Sequence, residues 1–427
     1  MSSAGAGTAA ALYALTSITT PDAGAEAEEA KDKRHHLKGG KGFVNPWDSY
    51  KDLSAPGILW DMLWRKISGQ ANSPDTTPPT VPVQQPTFLP SRITPKLRAT
   101  WLGHACYYIE FPSGLRVLFD PVFEDCCAPI NMPNLKRYTP PPCEVEDIPI
   151  IDAVVISHNH YDHLSHPTIM RIVKKHPNVQ FFVPLGNKQW FHKCGIKNVT
   201  EMDWWEAREM KLDLIKNKSE KVASSSISVT TTATEGTSKN DPNPDTMVAT
   251  IHCLPCQHTT ARGPFDRNAT LWASWSINSG GSNVYFAGDT GYRTVPKLPK
   301  GVTTYSKELT SSLPTCPAFT QIGKLIGPFD LGLIPIGAYE PRFIFSPMHA
   351  CPEDSVGIFL DTKCRRALGM HWGTWVLTEE DVLEPPRELR RALSEKGVRV
   401  EEGEGYGVEE VFGVCGIGES REFESGK

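Results

Sequence analysis

No stretch of this chain approaches the roughly 18 uninterrupted apolar residues that cross a bilayer. There is no basic surplus either: 44 Lys and Arg face 49 Asp and Glu, a formal net charge of −5. A spanning membrane protein is not expected, and a nucleic-acid substrate, which needs a basic field, is disfavoured. A secretory leader is not expected either, because the apolar run Ala9 to Leu15 has no basic residues ahead of it and an acidic segment, Glu26 to Glu29, follows. The 11 cysteines are an odd number, and Cys253-x-x-Cys256 has no second pair at zinc-ribbon spacing. Free thiols in a reducing compartment are the expectation, so the sequons at Asn198 and Asn268 carry no meaning.

What the chain does have is 427 residues, 39% of them hydrophobic, enough for one large domain with appendages or for two. Its chemistry is concentrated in Ser157-His158-Asn159-His160-Tyr161-Asp162-His163-Leu164. This stretch leaves the apolar, β-branched run Ile151 to Ile156, which reads as a buried strand. Side chains on a tight loop alternate in direction. His158 and His160 can therefore point into one metal site while Asp162 and His163 turn to a neighbouring one. Imidazole nitrogen and carboxylate oxygen are the donors that zinc takes.

Other candidates fall at further strand ends. Ala99 to His104, Tyr107 to Phe111 and Leu115 to Pro121 predict strands, the last two joined as a hairpin across Pro112-Ser113-Gly114. His104 and Asp120 at their ends can orient metal ligands by taking or giving a hydrogen bond at the spare imidazole nitrogen. Met247 to Leu254 predicts a strand that presents His258 to the site of His158 and His160. Leu271 to Ile277 alternates as a half-buried strand, and Asn283 to Ala287 runs into Gly288-Asp289-Thr290-Gly291, where a carboxylate can bridge two cations. His371 follows the run Ala367 to Met370.

The organisation expected is a disordered tail at 1–42, a helical and linker segment at 43–98, a catalytic domain at 99–402 and a tail at 403–427. The domain is interrupted by a Ser/Thr-rich disordered insertion at about 216–243. Residues 297–325 read as a loop. Leu59, Trp60, Met62, Leu63, Trp64 and Ile67 give a short helix more apolar surface than it can shield alone. It either docks on the core or lines an apolar way in for a lipid, with Trp60 and Trp64 near a membrane interface.

Seven candidate ligands at strand ends match the metallo-β-lactamase pattern: His158, His160, Asp162, His163, His258, Asp289 and His371. The blocks Phe43-Val44-Asn45-Pro46-Trp47, Trp101-Leu102-Gly103-His104-Ala105, Phe286 to Tyr292, Ile336-Gly337-Ala338-Tyr339-Glu340-Pro341-Arg342 and His371-Trp372-Gly373-Thr374 narrow it. With them the chain resembles the N-acylphosphatidylethanolamine-hydrolysing phospholipase D family from about Phe43 to Val400, outside two insertions. The resemblance implies an α/β fold, the αββα four-layer sandwich of metallo-β-lactamases, with two zinc ions per chain. One would be held by His158, His160 and His258, the other by Asp162, His163 and His371, with Asp289 bridging. His349 stands where the family has a histidine near the substrate phosphate. The implied reaction releases N-acylethanolamine and phosphatidic acid from a phospholipid substrate.

The resemblance also suggests a homodimer with a membrane-facing groove. The expected location is the cytoplasm, with peripheral attachment to an intracellular membrane and a mitochondrial address as alternatives. Two other functions stay open: a hydrolase of this fold acting on a lactone or a different phosphodiester, and a non-catalytic zinc protein serving as a membrane-peripheral scaffold.

Overall fold

The structure is a computed structural model that describes residues 13–21, 28, 31–130, 132, 135–214, 246–299, 301–302, 305–398 and 411–424. The insertion expected at about 216–243 lies outside the described residues. In chain order the strands are β1 (Tyr13–Thr19), β2 (Leu97–Trp101), β3 (Tyr107–Glu110), β4 (Arg116–Phe119), β5 (Ala153–Val155), β6 (Gln180–Pro184), β7 (Val199–Met202), β8 (Ala207–Leu214), β9 (Thr246–Leu254), β10 (Ser274–Ser279), β11 (Ser282–Phe286), β12 (Leu331–Pro335), β13 (Ala367–Met370), β14 (Phe412–Gly413) and β15 (Ser420–Phe423). The helices are α1 (Ala55–Ile67), α2 (His166–Lys175), α3 (Lys188–Lys193), α4 (Lys307–Ser312), α5 (Ala318–Leu325), α6 (Arg342–Phe345), α7 (Pro352–Asp361) and α8 (Glu384–Glu395).

Two sheets form, in the orders β1-β8-β9-β10-β11-β12-β13-β14 and β15-β2-β3-β4-β5-β6-β7. Their inner faces share one core, in which Trp101, Ile109 and Phe119 meet Ile251, Trp275 and Phe286. The rings of Phe119 and Phe286 lie 4.6 Å apart. On the outer face of the smaller sheet, Tyr108, Leu118, Val154 and Phe181 pack under Ile169 and Ile172 of α2 and Phe191 of α3. Helices α5, α7 and α8 cover the other sheet through Phe319, Val356 and Leu389. The layers are therefore αββα.

Covering both faces explains the strand sequences. Ala153-Val154-Val155 is uniformly apolar because β5 lies between parallel neighbours β4 and β6 and is buried on each side. The same burial corrects the half-buried expectation for β10, in which every residue but Asn278 is buried. The hairpin forms as expected, with Glu110 opposite Arg116 across a turn in which Gly114 takes φ 94°. Strands β4 to β7 run parallel, as do β11 to β14. Their carboxyl ends carry the loops that hold Asp120, His158 to His163, Asp289 and His371.

Three further expectations need correction. Part of the tail expected at 1–42 is ordered: β1 pairs antiparallel with β8, and Ile18 packs against the core, so the otherwise open side of β8 is covered. The tail expected at 403–427 contains β14, paired with β13, and β15, paired with β2, which carries the fold past residue 402. Within 297–325, α5 forms because Phe319 and Ile322 fall on one helical face and are buried.

Helix α1 is inverted relative to an ordinary surface helix. Ser54 caps it, accepting from Gly57 N at 3.2 Å. Ser54, Gly57, Ile58 and Asp61 line a cavity of about 400 Å³ on the body side. Leu59 is 70% exposed, Trp60 66%, Trp64 53% and Ile67 70%. The helix is tethered by Arg65 Nε donating to Glu379 Oε1 at 3.1 Å and by a Lys297–Asp61 ion pair at 2.6 Å. Among the described residues, no helix is long and apolar enough to cross a membrane.

Candidate metal centre

Beyond β5 the chain makes a tight turn, with the N–H groups of His163 and Leu164 both donating to His160 O, at 3.1 and 2.9 Å. This turn sends His158 and His160 one way and Asp162 and His163 another. Arg262 spans the loop by donating to Asn159 O and Leu164 O, each at 2.8 Å, and stacks 3.9 Å over Tyr161. At the loop's start, Ser157 N donates to Asp120 Oδ1 at 2.7 Å.

Two donor groups result. In the first, His160 Nδ1 lies 2.9 Å from His158 Nε2 and 3.3 Å from His258 Nε2. In the second, Asp162 Oδ2 lies 3.0 Å from His104 Nε2, 3.4 Å from His163 Nε2 and 3.6 Å from His371 Nε2. Asp289 Oδ2 sits at the junction, 2.9 Å from His371 Nε2, 3.2 Å from His163 Nε2, 3.8 Å from His258 Nε2 and 3.9 Å from His158 Nε2. His349 approaches through Nδ1, 3.9 Å from the same oxygen. The structure thus brings together all ten residues singled out from the sequence. His104 touches Asp162 directly, and Asp120 Oδ2 accepts from His163 Nδ1 at 2.7 Å.

Hydrogen bonds on the outer nitrogens fix which imidazole lone pairs face inward. His258 Nδ1 donates to Met348 O at 2.9 Å, and His158 Nδ1 donates to Ser157 Oγ at 2.9 Å, whose hydroxyl passes on to Asp120. Burial pushes His158 and His258 well below the ordinary imidazole value, which keeps both neutral. The second group is charged. Burial alone would lower His163 and His371, but Asp289 and Asp162 push His371 up to about 9, and with Asp120 they hold His163 well above its usual value. Burial works against the Asp289 carboxylate, yet His163 and His371 beside it hold it well below the ordinary range.

A cation fits this centre. The buried atoms His163 Nε2, His371 Nδ1 and Nε2, Asp289 Oδ1 and His349 Nδ1 have no hydrogen-bond partner, and an unpaired buried polar atom is costly. His35, His36 and Asp203 also cluster, and the contrast with them is informative. There each carboxylate oxygen accepts from one imidazole, at 2.8 Å, and no side-chain atom of the three is orphaned. That group is a hydrogen-bonded clasp, complete as it stands. Cys253 and Cys256 are buried and unpaired, and burial pushes both thiols well above their usual value.

Layered sheets with histidine and carboxylate ligands at their strand ends define a metallo-β-lactamase-fold, metal-dependent hydrolase. The beta-lactamase superfamily domain matches residues 115–303. The chain is 32% identical over 367 residues to the N-acyl-phosphatidylethanolamine-hydrolyzing phospholipase D 1 of Caenorhabditis elegans, covering 84% of this chain and 88% of that one. It is 30% identical over 292 residues to the mitochondrial N-acyl-phosphatidylethanolamine-hydrolyzing phospholipase D of Saccharomyces cerevisiae, covering 68% of this chain and 50% of that one. The chain belongs to the N-acylphosphatidylethanolamine-hydrolysing phospholipase D family.

The charge state of the second group makes metal binding a proton exchange. In the metal-free chain the raised His371 binds more protons than an unfolded histidine, near 6.5, does. The stability it contributes is complete below pH of about 6.5 and is lost as pH rises through about 9. Metal affinity moves the opposite way, because the rings must lose their protons to bind. The melting temperature of the metal-free chain will therefore fall between these two pH values, while its gap to the loaded protein widens. A gap that stays constant in calorimetry would contradict this charge assignment.

Proposed function

We propose that this protein is a two-zinc phosphodiesterase that hydrolyses N-acylphosphatidylethanolamine to N-acylethanolamine and phosphatidic acid. The observation that carries the reading is Asp289 at the meeting point of two donor groups, in a chain of this family. His158, His160 and His258 would hold one ion and Asp162, His163 and His371 the other, with Asp289 between them. Bound zinc supplies electrophilic stabilisation of phosphoryl oxygens and lowers the pKa of water from about 15.7 towards about 7.

The chain's own residues do the positioning. Asp120 and the Met348 carbonyl hold His163 and His258 with Nε2 inward. Burial pushes His349 down to about 4, so it is neutral at pH 7. Its neutral ring can donate an N–H hydrogen bond to a phosphoryl oxygen and so help hold the phosphodiester in place. Helix α1, with its apolar side chains outward, is the surface that would rest in the headgroup region of a membrane and bring the lipid within reach.

Mass-spectrometric product analysis of the zinc-loaded protein with N-acylphosphatidylethanolamine in detergent tests the reading. N-acylethanolamine appearing together with phosphatidic acid is the expected result. An inactive protein with two zincs bound would redirect the search to other phosphodiesters and lactones. In the same assay His349→Ala should lower turnover by about 10²-fold or more with metal content unchanged. Loss of metal would instead make His349 a ligand.

A further inference from the structure

Residues 33–50 reach the metal centre through a continuous set of hydrogen bonds. The segment is anchored first: His35 Nε2 and His36 Nε2 each donate to Asp203 at 2.8 Å, and Lys33 Nζ lies 3.0 Å from the same carboxylate. His35 stacks on Trp204 with ring centres 4.4 Å apart. Phe43 N then donates to Asn268 O and Val44 N to His35 O, both at 2.9 Å.

From this anchored strap, Asn45 Nδ2 donates to the main-chain carbonyl of His258 at 2.8 Å. The other end of that amide, Asn45 Oδ1, is buried without a hydrogen-bond partner, so the side chain acts here purely as a donor. Four residues on, Ser49 Oγ donates to Gln257 Oε1 at 2.6 Å, which fixes the orientation of that amide. Gln257 Nε2 in turn donates to Pro347 O at 2.9 Å. His258 Nδ1 donates to Met348 O at 2.9 Å, and Arg342 Nη1 to His349 O at 3.2 Å. Three successive carbonyls, those of Pro347, Met348 and His349, are each gripped by a side-chain N–H. Two of those grips come from Gln257 and His258, the residues that Ser49 and Asn45 hold.

We propose that Asn45 is a positioning residue for the hydrolytic reaction, with Ser49 as its second point of contact: together they hold His258 and Gln257, and through them the turn that carries His349. The inference rests on the roles given above to His258 and His349. Its physical basis is directional. The Nδ1–H of His258 is committed to Met348 O, so the angle at which Nε2 faces the centre depends on where the His258 main chain and the 347–349 turn sit. Asn45 fixes one and, through it, the other. Partners of this kind around a metal centre typically change metal affinity or activity by about 10- to 100-fold when replaced.

The experiment uses the full chain carrying Asn45→Asp, nearly isosteric but with an acceptor facing the His258 carbonyl, and separately Ser49→Ala. Each zinc-loaded variant is compared with wild type for the rate of zinc transfer to a chelator and for kcat and KM on N-acylphosphatidylethanolamine. The melting temperature of the metal-free chain is measured beside them. The expected result is zinc release faster by about 10-fold and a lower kcat, with KM and the metal-free melting temperature close to wild type. Wild-type zinc release and kcat in folded variants would overturn the proposal. So would losses that merely follow a lowered metal-free melting temperature, since Asn45 would then be a tie of the fold alone. If wild type does not cleave this lipid, the substrate assignment fails separately and the zinc-release comparison still decides the role of Asn45.

Discussion

Asp289→Asn will lose at least one bound metal and its turnover will fall by about 10³-fold or more, equivalent to about 4 kcal/mol of transition-state stabilisation. Among the described residues, Asp289 is the carboxylate whose oxygen lies within 4 Å of ring nitrogens from both donor groups, at 2.9 Å from His371 and 3.8 Å from His258. Asparagine keeps the shape and one acceptor but removes the negative charge. The two proposed cations, flanked by neutral imidazoles, would then keep Asp162 as the one carboxylate among their proposed ligands, and in the metal-free chain His163 and His371 would lose a carboxylate that helps to sustain their protons. Metal analysis beside steady-state kinetics checks the result. Full activity with two metals retained would show that Asp289 does not link the two groups.

The second large effect is expected at α1. Trp60→Ala combined with Trp64→Ala should weaken binding to phosphatidylcholine vesicles by about 2 kcal/mol, roughly 30-fold, given about 1.5–3 kcal/mol for each fully buried large apolar side chain and only shallow insertion. Turnover on detergent-dispersed substrate should hold. So should the melting temperature, because both indoles are more than half exposed and contribute little to the core. The inverted arrangement of the helix is what makes this test clean: Asp61 and Arg65 tie it to the body while the apolar side chains face away. Vesicle sedimentation reads the outcome. Unchanged partitioning would remove the membrane role, and a lower melting temperature would mean the tryptophans pack against protein.

The centre was legible in the sequence because its signals are local. An apolar strand running into His158-Asn159-His160-Tyr161-Asp162-His163 places four donors within one turn, and Asp289 and His371 each follow their own strand end. His104 and Asp120 were legible for the same reason. What stayed hidden depends on distance along the chain or on backbone pairing. Asn45 and His258 are 213 positions apart, and nothing near Asn45 announces a carbonyl waiting for it. Gln257 could have been suspected as the neighbour of His258, whereas Arg262 looks like any surface cation until it is seen bridging both ends of the loop. Strands β1 and β15 were missed because an edge strand needs backbone pairing and one modest apolar face, which Thr- and Glu-containing stretches satisfy without a hydrophobic run.

The late position of β14 and β15 governs when the molecule can assemble. Phe412–Gly413 completes one sheet against β13, and Ser420–Phe423 completes the other against β2. During synthesis, β2 emerges more than 300 residues before the strand that pairs with its open side, and the pocket lacks His371 until β13 has been made. Closure of both sheets therefore waits for residues 412–423, and the full donor set around Asp289 is present only after His371 has been made. A nascent chain stalled before residue 371 would carry the whole His158–His163 loop yet lack one of the residues that surround Asp289.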